Sequence, residues 1–500
     1  MDSKQVVALV IILLYMALTV AIGLISSYRK KKKSATQSNE DFLMAGKSLG
    51  MLALAGTLFA ANTGGASTLG IAQNTFKYGL SAAWYVIAAG IGFVIVSFVA
   101  SYFRRSSANT VPQIIGMRFG RPSHLFTAVV QIIALFMATG AQIIATASII
   151  NVLTGFNFKQ AVIVTTIVVI LYTMVGGLVS VASANMLHVF TIVIGMFVAM
   201  LFIVNSPDVG GFANLFAKSR EAAYTVGANA GQNANMLDMF KVGIPTIIGY
   251  IGLYCMTFPT GQEIVQTYAS AKDPKTATTG SIVAGVISAV FAMIPAIIGV
   301  AAFTFIPELM SGALPTNAAL PQAALRFAPA LVTGLVLSGV VAATISSASG
   351  NMIGTATMFV NDIYVPYIKK GQRNDKAEVR VSRITMVVVG LVGMTIALTG
   401  SNIIAVMMSA FALRSAGPFA AFVTGLFSKN VTKNGGFIGI LVGTAVAAFW
   451  NFYLDPQILH SGLSAIVPGG IVALLTIFLV SAIERARGVK ALPMIELSKK

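Results

Sequence analysis

Two stretches of small and hydroxyl-bearing residues decide the fold: FAANTGG at Phe59–Gly65 and AATISSASG at Ala342–Gly350. Each lies in strongly apolar surroundings, where a membrane-spanning helix is expected. Because backbone polar groups cannot be left bare in hydrocarbon, an interrupted helix at that depth usually lines a protected cavity. One such stretch in each half of the chain predicts two interrupted helices around a solute and ion site near the bilayer midplane.

The composition predicts an all-α polytopic membrane protein. Apolar residues make up 56% of the 500 residues and charged residues only 10%. Apolar runs of about 20 residues, the length that crosses a bilayer as a helix, recur along the chain. We count about thirteen such spans, numbered in chain order, which begin near Val6, Gly50, Leu80, Leu125, Gln160, Ala182, Lys241, Thr276, Phe327, Ile384, Asn402, Phe437 and Gly469.

The net charge of +18 is a topology signal rather than a sign of nucleic-acid binding. With the N-terminus outside and thirteen spans, the inside segments hold 25 Lys and Arg residues and the outside segments seven. This excess orients a multi-pass protein in the cytoplasmic membrane with its C-terminus in the cytoplasm. Lipid is therefore an expected partner, and the sequence indicates no obligate protein partner.

The spans suggest an inverted repeat within a single transmembrane domain. If span one (6–27) is peripheral, the next ten form two units of five (49–206 and 240–428) that enter the membrane from opposite sides, and two peripheral spans follow (437–485). The first helix of each unit should be broken. Span two contains Asn62–Gly65, and span seven contains Pro259 and Gly261, which weaken a continuous helix.

The residues of span nine could hold a hard cation. Ala343, Ser346 and Ser347 share one helical face, so a carbonyl and two hydroxyls can converge beside it. Carbonyls released by the break in span two, at Ala60 and Thr63, could complete an oxygen shell. Alternatively, the small residues only allow close helix packing and the serines bond back to their own helix.

Five motifs in order resemble the sodium:solute symporter family. They are DFLMAGKSLG with TLFAAN (41–62), YTMVGGLVSV (172–181), GQEIVQTYASAKD (261–273), AATISSASG with VNDIY (342–364) and AGPFAAFVTGLF (416–427). The resemblance covers roughly residues 5–485. It implies a LeuT-type core of two inverted five-helix repeats and sodium as the coupling ion.

The resemblance also implies a sodium site, formed by the carbonyls of Ala60, Thr63 and Ala343 with the hydroxyls of Ser346 and Ser347. Some relatives have an aspartate in span six that helps to form a second sodium site. The matching residue here is Asn185. Because an amide carries no charge, we expect one sodium ion per solute.

The sequence indicates the residues of the solute site less clearly than those of the sodium site. Sugar-transporting relatives carry a carboxylate and an amide where this chain has Ala66 and Ser67, which argues against a sugar. Arg414 is the one charge within a span; it could hold a solute carboxylate, or it could satisfy carbonyls or a headgroup. Asn62, Ser67 and Gln142 are further candidates, although both amides could instead serve helix contacts.

Other polar and aromatic residues have structural interpretations. Trp84 and Tyr85, at the outer end of span three, could be gate residues but fit an interfacial aromatic belt better. Glu263 and Asp362 are expected at inner helix ends, in caps or loop contacts. His188 is isolated in the sequence.

Together these features predict a secondary active transporter, not an enzyme, that couples sodium to a small organic solute. A carboxylate-bearing compound such as an amino acid, a monocarboxylate or a vitamin acid is the expected solute. Two alternatives stay open on the same fold: a solute sensor, and a sodium-independent or proton-coupled transporter.

Overall fold

The computed structural model describes residues 2–33, 49–105, 110–227, 229–400 and 402–493, without the side chains of 23–33, 102–105, 175–186 and 375. Its α-helices are Ser3–Lys33, Met51–Asn62, Ile71–Tyr78, Trp84–Arg105, Val111–Phe119, Arg121–Thr154, Phe158–Val204, Gly211–Glu221, Ile244–Thr257, Gln262–Ala269, Pro274–Phe291, Met293–Phe305, Pro307–Met310, Ala319–Phe327, Ala330–Met358, Asp375–Thr399, Ile403–Phe427, Lys433–Phe449 and Ile466–Ala486. Wider π-helical segments follow or precede three of them, at Ala66–Gly70, Phe359–Ile368 and Trp450–Leu459. Short 3₁₀ segments lie at Gly79–Ala83, Phe258–Thr260 and Thr316–Ala318.

The predicted all-helical membrane protein is confirmed, but the count of thirteen spans is not. Within the described ranges, ten helices are long and apolar enough to cross a membrane by length and composition. Spans two and seven each consist of two shorter pieces, and predicted spans five and six fall within the single helix Phe158–Val204. A count of membrane spans by helix length and hydropathy is therefore too low when some spans consist of two short helices.

Span two is interrupted where the sequence predicts it. Helix Met51–Asn62 ends at Thr63, whose backbone is extended (φ −96°, ψ 92°). The chain resumes as the π-helical turn Ala66–Gly70 and continues as helix Ile71–Tyr78. The two halves of span two are thus separated by a non-helical segment in which backbone groups need other partners.

Span seven is broken in the same way. Helix Ile244–Thr257 passes into a 3₁₀ turn that contains Pro259, and Gly261 is extended (φ −80°, ψ 119°) before helix Gln262–Ala269 begins. Proline removes one backbone donor and the extended glycine stops the helical path. The predicted breaks in spans two and seven are both confirmed.

The predicted interruption in span nine is wrong. Ala342–Gly350 lies inside the continuous helix Ala330–Met358. The polar side chains are tolerated in an unbroken helix because their hydroxyls bond back to helix carbonyls, as Thr344 Oγ1 does to Val341 O at 2.9 Å. Small residues elsewhere in this helix allow neighbouring helices to approach closely. At Gly339, three residues before the stretch, a Cβ would lie 3.0 Å from Thr191 Cγ2.

Span one is mostly exposed but also contacts the core. Ile11 packs directly against Gly334 of span nine, where a Cβ would meet Ile11 Cδ1 at 2.5 Å. One turn further on, Tyr15 bonds to the side chain of Thr191 at 3.0 Å. The first span therefore supports the helix that carries the candidate ion ligands.

The segment between spans six and seven contains the short helix Gly211–Glu221 and then covers the end of span three. Leu80 N–H donates to the Met236 carbonyl at 2.8 Å, and Trp84 Nε1 donates to the Met239 carbonyl at 2.8 Å. Gly79 has φ +56°, and a Cβ there would lie 2.4 Å from Met236 O. The turn therefore requires glycine for both backbone angle and space.

Candidate functional site

A central cavity of about 220 Å³ lies between the break in span two and the middle of span nine. All five residues of the predicted sodium site line it: Ala60, Thr63, Ala343, Ser346 and Ser347. They come from two helices that are about 280 positions apart in the chain, so the fold brings them to one wall. Of the four predicted solute residues, Gln142 and Arg414 line the same cavity.

The cavity extends toward one end of the helix bundle. Three further lining residues lie near Lys- and Arg-rich segments that the charge distribution assigns to the inside. They are Thr110, between Arg105 and Arg118, Gln266, shortly before Lys272, and Thr357, about three turns before Lys369. Toward the other end, Tyr85 packs edge-on against Tyr250, with ring centroids 5.6 Å apart. Tyr85 is only 2% exposed. The preferred assignment of this tyrosine to an interfacial belt is therefore wrong, because it belongs to a buried aromatic cluster.

The break in span two is held open by side chains. Gly64 N–H donates to Ser67 Oγ at 2.9 Å, and Gly65 N–H donates to Gln142 Oε1 at 2.8 Å. In a continuous helix these two donors would bond to the carbonyls of Ala60 and Ala61. Their diversion removes the usual helical donor from both carbonyls, and the Ala60 carbonyl keeps a hydrogen bond of 3.2 Å from Thr63 N–H.

The double glycine is required by the same contacts. A Cβ on Gly65 would lie 2.2 Å from the Ala145 Cβ and 3.2 Å from Gln142 Oε1. A Cβ on Gly64 would lie 2.8 Å from the Gln142 amide. Span four therefore approaches the break at backbone distance, and only glycine leaves room for it.

The two remaining solute candidates do not line the cavity. Ser67 is 1% exposed, and its hydroxyl is occupied by backbone groups of the break, 3.1 Å from the Gly64 carbonyl and 3.2 Å from the Asn62 carbonyl. Asn62 Nδ2 is buried without a partner among the described residues. Ser67 thus shapes the break rather than contacting a solute in this conformation.

Gln142 has a structural role that sequence reasoning left open. Replacing Gln142 with Leu removes the acceptor of the buried Gly65 N–H. An unpaired buried donor costs about 1–3 kcal/mol, so we expect a lower thermal midpoint and weaker sodium binding. Thermal denaturation of the purified protein measures this, with the exposed Gln372→Leu as the control. An unchanged midpoint in Gln142→Leu would show that the break does not depend on this amide.

The two serines of span nine line the cavity next to Thr344, whose side chain is hydrogen-bonded to span four. Ser346 is 6% exposed and Ser347 is half-buried. Between them and span four, Thr344 Oγ1 lies 2.7 Å from Thr146 Oγ1, which fixes the rotation of span nine. Asn185, on which the single-sodium prediction depends, lies outside the side chains that the structure describes.

Arg414 has a protein partner in the cavity wall. Its Nη2 lies 2.8 Å from Glu263 Oε1, and its Nη1 lies 3.5 Å from Glu263 Oε2. The guanidinium also stacks over the Phe411 ring, with Cζ 4.8 Å from the centroid. Glu263 is therefore not merely a helix-end cap, as the sequence suggested; it lines the cavity and neutralises the one cation of the spans.

The ion pair sits on the break in span seven. A Cβ on Gly261 would lie 3.0 Å from Arg414 Nη2 and 3.1 Å from Glu263 Oε1. Gln131 Nε2 donates to the Thr260 carbonyl at 3.2 Å. Because Gly261 has no side chain and the Thr260 carbonyl is hydrogen-bonded to Gln131, the break in span seven has room for the ion pair of Arg414 and Glu263.

His188 also lines the cavity, although it looks isolated in the sequence. Thr191 Oγ1 donates to the Leu187 carbonyl at 2.9 Å, so it accepts the proton of the Tyr15 hydroxyl at 3.0 Å. Tyr15 must then accept from His188 Nδ1, 3.2 Å away. The imidazole therefore carries its proton on Nδ1, and the buried Nε2 has no partner within the described part of the chain.

Two broken helices, a shared cavity with carbonyl and hydroxyl oxygens, and an ion pair in its wall define a polytopic membrane transporter. Solved structures support this fold. A Na⁺-coupled sialic acid symporter in a substrate-bound outward-open state superposes with a TM-score of 0.76 at 18% identity, covering 98% of this chain and 99% of that one. The inward-facing structure of Mhp1 gives a TM-score of 0.57 at 15% identity, over 90% and 93% of the two chains.

The family model described as "Sodium:solute symporter family" matches residues 42–443, and the chain belongs to this family. A sodium/glucose cotransporter of Vibrio parahaemolyticus is 28% identical over 88% of this chain and 84% of its own length. The high-affinity proline transporter PutP of Bacillus subtilis strain 168 is 25% identical over 90% and 94%. The protein is thus a sodium-coupled solute symporter and not an enzyme.

Proposed function

We propose that this symporter carries a small carboxylate-bearing solute together with one sodium ion. The observation that carries the proposal is that the oxygen-rich faces of spans two and nine line the same cavity as the guanidinium of Arg414. The carbonyls of Ala60, Thr63 and Ala343 and the hydroxyls of Ser346 and Ser347 would hold the ion. A guanidinium is well shaped to hold a carboxylate.

In this proposal sodium couples to the solute through the break in span two. Binding of the ion orders the carbonyl end of helix Met51–Asn62 against span nine, and this order stabilises an outward-open state. The solute then binds beside Gln142, and the two five-helix units rock to open the cavity inside, where sodium is low. Coupling must be reciprocal, so sodium tightens solute binding as much as the solute tightens sodium binding.

The described conformation fits the release step of this cycle. The cavity reaches residues next to positively charged segments, while aromatic side chains pack at the other end. If the positively charged segments are cytoplasmic and the N-terminus is outside, the structure faces inward. The proposed membrane is the cell membrane.

Uptake into proteoliposomes tests the proposal. An imposed inward sodium gradient should drive radiolabelled carboxylates into vesicles that contain the protein, and a potassium gradient of the same size should not. Carboxylates are offered as a panel of amino acids, short monocarboxylates and vitamin acids, with glucose as the carboxylate-free comparison. Sodium-driven uptake of glucose without uptake of any carboxylate would refute the proposed solute class.

The proposed stoichiometry gives a separate prediction. A single sodium site makes the initial uptake rate a hyperbolic function of sodium concentration, with a Hill coefficient of about 1. The variant Asn185→Asp restores the carboxylate of the second site, and its curve should become sigmoidal. A sigmoidal curve for the unmodified protein would contradict the proposal that Asn185 abolishes a second site.

A further inference from the structure

The ion pair in the cavity wall is unequally buried. The Arg414 side chain is 5% exposed, whereas the Glu263 side chain is 37% exposed. Glu263 therefore presents part of its side chain to the cavity, while the Arg414 guanidinium is largely covered and stacks over Phe411. Arg414 Nε is buried and has no hydrogen-bond partner among the described residues, so one edge of the guanidinium is still unused.

This arrangement changes what the cavity can accept. Arg414 on its own would attract any carboxylate, but its charge is balanced by Glu263 at 2.8 Å. A solute that brings only a carboxylate meets an occupied guanidinium and a like charge beside it. Displacing Glu263 would leave that carboxylate unpaired in a partly buried wall, which is strongly unfavourable.

No other fixed charge in the wall relieves this mismatch. Of the described residues that line the cavity, only Glu263 and Arg414 are Asp, Glu, Lys or Arg, and the remaining polar groups there are hydroxyls, amides and the His188 ring. A positive charge that balances Glu263 during solute binding must therefore come from the ligands. Sodium keeps its charge on neutral ligands, but it is assigned to the oxygens of spans two and nine and not to Glu263, so a cationic group in direct contact with Glu263 is expected from the solute.

We propose that Glu263 is a specificity-determining residue and that the solute carries a cationic amine as well as a carboxylate. The solute carboxylate binds the unused edge of the Arg414 guanidinium, and the amine binds the Glu263 carboxylate. The four charges alternate, so each ion gains a partner and none is left bare. The inference rests on the proposed function, because it specifies the class of carboxylate that the same cavity takes.

The test compares matched solutes in proteoliposomes with an inward sodium gradient. The probes are the proteinogenic amino acids and, for each, the carboxylic acid in which hydrogen replaces the amino group, with cyclopentanecarboxylic acid as the match for proline. We expect at least one amino acid to enter with an uptake efficiency at least about tenfold above its matched acid, a ratio that one new ion pair readily supplies. Glu263→Gln should lower that ratio about tenfold, and the exposed Glu221→Gln should leave it unchanged.

The outcomes separate this inference from the proposed function. Equal uptake of amino acids and matched acids, or a ratio that survives Glu263→Gln, overturns the role of Glu263 while sodium-driven carboxylate uptake still stands. Absence of sodium-driven uptake for both series overturns the proposed solute class and this inference with it. If Glu263→Gln does not fold, Glu263→Asp, which keeps the charge but shortens the side chain, tests Glu263 instead: the amine preference should persist with a changed ratio, and an unchanged ratio overturns the role of Glu263. The comparison of solutes by the unmodified protein still decides whether the solute carries an amine.

Discussion

Gly65→Ala is expected to abolish transport and to destabilise the protein. Its Cβ would lie 2.2 Å from the Ala145 Cβ, between two main chains that cannot both yield. Overpacking of this kind costs typically about 1–3 kcal/mol, and here it also separates Gly65 N–H from Gln142. The carbonyls that the break turns toward the cavity would move with it.

Thermal denaturation and sodium-driven uptake measure the two effects in Gly65→Ala. The control is Gly50→Ala, since a Cβ there meets no atom within 4 Å. Gly50 precedes the same helix, so both variants add one methyl group to span two or its entry. A Gly65→Ala protein that transports at the unmodified rate would show that close approach of span four is not needed for the break.

Ser346→Ala is expected to raise the sodium concentration for half-maximal uptake about 10- to 100-fold. A hydroxyl that bonds to a charged group contributes about 1.5–3 kcal/mol, and alanine removes this ligand while it preserves the helix. The maximal rate at saturating sodium should change far less, because the ion, and not the solute, loses a contact.

Ser338→Ala is the matched control for Ser346→Ala. Ser338 lies two turns earlier in the same helix, is fully buried and donates to the Gly334 carbonyl at 2.6 Å. Its removal deletes the same atom from span nine away from the cavity, so sodium affinity should stay the same. If both variants lose sodium affinity equally, the effect comes from the packing of span nine and not from ligation.

The membrane class, the family and the break in span two were predictable from the sequence alone. The break at Asn62–Gly65 was predictable because an amide, a threonine and two glycines together disfavour a helix in an apolar span. Adjacent glycines alone do not suffice, since Gly435 with Gly436 and Gly469 with Gly470 lie inside continuous helices. The same logic failed at Ala342–Gly350, because serines and threonines satisfy themselves within an unbroken helix and small residues also serve close packing.

The pairs that shape the cavity were not predictable from one sequence. Glu263 and Arg414 are 151 positions apart, and Tyr15 and His188 are 173 positions apart. No local period or motif links such residues; only the packing of whole helices brings them together. Arg414 stood out in the sequence as a charge within a span, but its partner Glu263, which narrows the proposed solute from any carboxylate-bearing compound to one that also carries an amine, did not.

Equilibrium binding of radioactive sodium to the purified protein tests the central claim most directly, because it needs no knowledge of the solute. We expect saturable binding of about one ion per chain, because the proposed site holds one ion. In a Ser346→Ala, Ser347→Ala double variant that binding should be lost at the same sodium concentrations. Undiminished binding by the folded double variant would contradict the placement of sodium between the break in span two and the serines of span nine.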